Sequence, residues 1–205
     1  MGTTERRERE RQQRRATILK AARKLFFTKG FRDTTIDELA RVTELARGTV
    51  YLYFAGKEEI YATVLEEGLD IAYGLITASY SGEASPLENL LATLDASLRF
   101  QEENPEYSNV LMLHRLEIHD LLSAELQQRM RAKVERIQDW FRELLREGIA
   151  RGDFREMPIE ENVALLLALN RGFLLMQGGK HCPLDGEGMR AALHAFVAAG
   201  VLARN

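Results

Sequence analysis

Residues 34–54, TTIDELARVTELARGTVYLYF, decide the fold. Thr35 is followed three residues later by Glu38, the capping-box spacing that starts a helix. Ile36, Leu39 and Ala40 then fall on one face. The helix is expected to stop near Thr43, and a second to begin around Ala46. Leu45, Val50 and Phe54 of this second segment point at the first helix, leaving Arg47, Gly48, Tyr51 and Leu52 outward. Such a face suits a DNA major groove: arginine bonds guanine edges bidentately, and glycine lets the backbone approach closely.

Around this stretch lie GTVYLYFAGKEEIY (48–61), TTIDELA (34–40) and a helix ending in FFTKGF (26–31). Together, in this order and spacing, they resemble the tetracycline-repressor (TetR) family of one-component transcriptional regulators. The resemblance implies an all-α chain with an N-terminal three-helix helix-turn-helix DNA-binding domain, residues 1–56. A helical effector-binding and dimerisation domain, residues 57–205, follows. It also implies that Arg47, Gly48 and Tyr51 touch base edges and that Thr35, Thr49, Tyr53 and Lys57 touch phosphates. Hydroxyls, a helix-start N–H and an ammonium are suitable phosphate partners. Tyr53 read alone is equally a core tyrosine, and Thr35 a cap. The chain departs from the family at the turn, with Glu44 for the usual glycine and Ala46 for the usual serine. Either Glu44 takes the left-handed conformation, or the turn is remade around Thr43 with Glu44 right-handed.

Charge is unevenly spread. The chain of 205 residues has a net charge of −3, yet residues 1–60 carry 14 Lys and Arg against 9 Asp and Glu. The remainder carries 14 against 22, a basic head on an acidic body. With 45% hydrophobic residues the chain is able to bury a core. The most apolar run, VALLLALNRGFLLM, is broken by Asn170 and Arg171, so no bilayer span is expected. The Arg-rich N-terminus has no apolar signal core, and Cys182 is alone; both suit the cytoplasm.

In order, residues 1–15 read as a solvated or frayed helical extension able to reach along phosphates. A helix over about 14–29 repeats Ile18, Ala21, Ala22, Leu25 and Phe26 at helical spacing, and Gly30 ends it. Lys57 opens a helix with Glu58 and Glu59 in its first turn. Ser85-Pro86-Leu87-Glu88 caps another, to about Gln101. Pro105 starts the next, to about His119; Ser123 caps a long one to about Ala150; Pro158 and Asp185 begin the last two. No alternating strand pattern is present. The last two helices are apolar on several sides, as if forming half of a four-helix bundle with a second chain. Leu166, Phe173, Leu193, Phe196 and Val197 are the expected interface; closure of the chain's own core is the competing reading.

The body carries no enzyme constellation. His114 and His119 are five apart, off the spacing of a helical zinc pair. His181 and Cys182 lack further ligands, and neither cofactor nor metal is expected. The resemblance implies a small-molecule effector, with Phe100, Tyr107, Met112, His114, Trp140 and Phe173 as candidate lining residues. For each of these, core packing is the rival. The expected partners are a double-stranded DNA operator, that effector and a second copy of the chain. A helical enzyme or carrier with an incidental basic head, and a helical adaptor, are the alternatives.

Overall fold

The computed structural model describes residues 3–113, 122–177 and 186–203. In chain order they form α1 (Thr3–Asp33), α2 (Ile36–Val42), α3 (Arg47–Tyr51), α4 (Lys57–Ala78), α5 (Pro86–Glu103), α6 (Pro105–Leu113), α7 (Ala124–Ala150), α8 (Ile159–Gln177) and α9 (Gly186–Val201). The all-α expectation holds: among the described residues the only β contact is an isolated bridge between Phe154 and Leu202. None of these helices is long and apolar enough to cross a membrane. The expected end of α6 near His119 and the Asp185 cap lie outside the described residues, as do His114, His181 and Cys182.

Two compact units divide the chain, one of Met1–Leu69 with Asn104–Arg131, the other of Asp70–Glu103 with Ala132–Asn205. These compact units do not coincide with the division by role at residue 56 that the resemblance implies. The first unit extends past residue 56 because α6 packs on α1. Arg23 Nε donates to Glu106 at 2.7 Å and Nη1 to the Tyr107 hydroxyl at 2.6 Å, with the guanidinium 4.5 Å over the Tyr107 ring. The Tyr107 hydroxyl in turn donates to Glu67 at 3.0 Å, and burial is the first cause of its raised pKa. Gly68 permits this approach, since a Cβ there would stand 3.0 Å from the Tyr107 ring.

The core of the first unit joins Ile18, Ala22 and Phe26 of α1 to Leu39 of α2, Val50 of α3, and Ile60, Tyr61 and Leu65 of α4. α1 breaks at Gly30, whose φ of 81° is open to glycine at little cost. The break turns Phe31 back into the core, where its ring meets Phe26 at 6.0 Å and Tyr61 at 4.8 Å. The N-terminal extension is not frayed: α1 is helical from Thr3, with residues 4–14 all exposed.

In the second unit, Leu90, Leu94 and Leu98 of α5 pack with Phe141, Leu144 and Leu145 of α7, Val163 and Leu166 of α8, and Leu193, Val197 and Val201 of α9. The Ser85 box is complete: the Glu88 amide donates to Ser85 Oγ at 3.2 Å, and the Ser85 amide to Glu88 at 2.7 Å. The Ser85 amide first, then its hydroxyl, both donating to the Glu88 carboxylate, hold that carboxyl below its usual pKa. Phe154 folds over Gly148, where a Cβ would lie 2.0 Å from its ring.

Candidate nucleic-acid interface

The interface is built on α2 and α3. Thr35 is the N-cap of α2, accepting from the Glu38 amide at 3.2 Å. The Glu38 carboxylate pairs with Lys29 of α1. Leu39 and Ala40 turn inward. α2 ends in a Schellman motif: the Leu45 amide donates to Ala40 O at 2.9 Å and the Glu44 amide to Arg41 O at 3.3 Å. That motif requires a left-handed residue after the cap. Glu44 is that residue, at φ 56°, and no other non-glycine among the described residues has positive φ. The family-like turn is therefore kept, and the right-handed alternative is excluded. Thr43 adds a hydroxyl bond to Leu39 O at 2.7 Å rather than remaking the turn.

α3 starts at Ala46 without a side-chain cap. Val50 and Phe54 are buried beneath it. Its other face is open: Leu52 is 76% exposed and Tyr51 45% exposed, and a Cβ on Gly48 would meet nothing within 4 Å. Arg47 is exposed at the start of the helix. It reaches Asp37 of α2 at 3.3 Å and lies 5.9 Å from the Tyr51 ring centroid. Tyr51 first, then Asp37, raise its pKa above the ordinary guanidinium value. An exposed pair of this kind is weak, so Arg47 is free to exchange Asp37 for a base edge. Sequence reasoning missed Asp37, although its position in the first turn of α2 is visible.

Thr49 and Tyr53 are half-buried on the flanks of α3. Lys57 differs from its expected role. Its Nζ donates to Phe31 O at 2.8 Å and Arg32 O at 3.2 Å and sits 4.3 Å over the Phe31 ring. Two of its three N–H groups thus hold the end of α1 instead of facing outward.

The other sequence-derived sites fall elsewhere. Phe100 and Tyr107 are buried, in different units. Trp140 is half-buried in the second unit, where its Nε1 donates to Thr93 at 3.3 Å and its ring meets Tyr80 edge-on. The side chains of Met112, His114 and Phe173 lie outside the described residues. Leu166, Leu193 and Val197, expected in a seam between chains, are taken up by the chain's own core. Helical spacing turns neighbouring residues outward instead: Leu165 is 60% and Phe196 66% exposed. No cluster of His, Cys, Asp and Glu arranged for a metal occurs among the described residues.

Comparison with known proteins agrees with this geometry. Residues 18–64 match the model of the bacterial regulatory proteins of the tetR family. The uncharacterized HTH-type transcriptional regulator YfiR of Bacillus subtilis is 29% identical over 168 residues, 78% of each chain. The HTH-type transcriptional repressor NicS of Pseudomonas putida is 28% identical, covering 75% of this chain and 72% of its own. The structure of a tetR-family regulatory protein from Rhodococcus RHA1 superimposes with a TM-score of 0.81 at 21% identity, covering 94% and 98% of the two chains. Residues 18–64 thus carry a tetR-type segment, and over about three-quarters of its length the chain is similar to HTH-type transcriptional regulators.

Proposed function

We propose that the protein is a ligand-responsive repressor that binds a palindromic operator in the cytoplasm as a homodimer and is released by a small-molecule effector. The observation that carries the DNA half is the open face of α3, with Arg47 at its start and Gly48, Tyr51 and Leu52 beside it. Bases are read by Arg47, Gly48 and Tyr51; phosphates are held by Thr35, Thr49, Tyr53 and the remaining N–H of Lys57. Repression is supported by the name of the relative NicS, a transcriptional repressor.

Dimerisation is supported by Leu165 and Phe196, large apolar side chains exposed on α8 and α9. The DNA-contacting head is residues 1–56, and residues 57–205 carry effector and partner. For release, the effector must bind the DNA-free arrangement more tightly than the bound one. Footprinting on DNA upstream of the protein's own gene, with and without a metabolite panel, tests this reading. A two-fold symmetric footprint erased by one metabolite is expected. Protection of one half-site, or protection that survives every compound while the melting temperature rises with one, would contradict it.

A further inference from the structure

The N-terminal arm carries its charge in an ordered way. Residues 3–15 are helical and contain no apolar side chain. At 100° per residue, Arg7, Arg11, Arg14 and Arg15 fall in one strip about 100° wide. Glu5, Glu8 and Glu10 fall outside it. Two of these are engaged elsewhere: Glu10 pairs with Arg6 at 3.0 Å, and Glu8 accepts from Gln12 at 3.4 Å. Arg7, Arg11 and Arg14 make no hydrogen bond or ion pair among the described residues.

The strip also has a direction. It prolongs the line of Ile18 and Ala22, both fully buried. Its last member, Arg15, lies 4.8 Å over the ring of Phe54, three residues beyond the end of α3. The guanidinium strip therefore starts at the base of the recognition helix and runs away from it within the same compact unit.

We propose that Arg7, Arg11 and Arg14 form a second DNA-contact surface, gripping the phosphates that flank the bases read by α3. From Arg7 to Arg15 the helix rises about 12 Å, the length of about three to four nucleotides of one strand. Arginine forks match phosphate oxygens bidentately. A membrane surface is disfavoured, because an interfacial helix needs an apolar face and this arm has none. The proposal rests on the chain being a DNA-binding regulator.

The test is a salt titration of the full-length chain on a mixed-sequence duplex, read by fluorescence anisotropy. For Arg7→Gln/Arg11→Gln/Arg14→Gln, the slope of log K against log salt should become shallower by about two to three units. Binding at low salt should weaken about tenfold or more. The corresponding triple lysine variant should keep the parent slope, and Arg6→Gln/Arg9→Gln, on the opposite side, should change it by less than about one unit. Melting by circular dichroism should match the parent, since the three side chains are exposed and make no hydrogen bond or ion pair among the described residues. An unchanged slope in the glutamine variant, or an equal loss per charge from Arg6 and Arg9, would overturn the strip while leaving DNA binding intact. A parent chain that bound no duplex would overturn both.

Discussion

Glu44→Gly should stabilise the protein, although most glycine substitutions do the opposite. At φ 56° the Glu44 Cβ crowds the following carbonyl, a cost of about 1–2 kcal/mol that glycine lacks. Against this, the unfolded chain gains freedom worth about 0.4–1 kcal/mol. The Schellman bonds from the Leu45 and Glu44 amides do not involve the side chain and survive the change. The exposed carboxylate has no partner among the described residues, so nothing else is lost. The net gain is about 0.5–1 kcal/mol, or about 1–4 °C in melting temperature for a chain of this size. Glu44→Ala is the control: it removes the same charge but keeps the Cβ, and should gain nothing. Scanning calorimetry on the three proteins separates the terms. A fall in melting temperature for Glu44→Gly, or an equal rise for Glu44→Ala, would refute the strain argument.

Ala46→Ser should supply the missing cap of α3, stabilising it by about 1 kcal/mol by reversible denaturation; no change would mean that the Ser hydroxyl does not reach the Thr49 amide. Lys57→Met strands the carbonyls of Phe31 and Arg32 and should cost about 1 kcal/mol, seen as a lower melting temperature even without DNA; an unchanged melt would return Lys57 to a purely DNA-facing role. Phe196→Arg should leave folding intact, because the side chain is 66% exposed, and should give monomers in sedimentation; a persisting dimer would remove α9 from the interface.

Much of this was legible locally. The Thr35 cap, the inward Leu39 and Val50 and the open Arg47 face all follow from residues within one or two helical turns of each other. The sequence also marked Glu44 as a departure, but the backbone choice is made by the amide bonds that Glu44 and Leu45 give back to the last turn of α2. Other features rest on distant partners. The pairing of Arg23 with Glu106 spans 83 residues and draws α6 into the head unit, so no local boundary signal at residue 56 could report it. Lys57 finds its carbonyls 26 and 25 residues upstream. On α9, alanine surrounds Leu193, Phe196 and Val197, and the apolar pattern alone does not choose which side faces inward.

The central claim is that Arg47 on the open face of α3 reads a base. The most direct measurement selects duplexes from a randomised pool with the parent protein, then compares single-base variants of the preferred site with parent and Arg47→Ala. The account predicts that Arg47→Ala loses discrimination of about 1–3 kcal/mol at one base position in each half-site and keeps it elsewhere. A uniform loss at every position, or an unchanged preference, would contradict it.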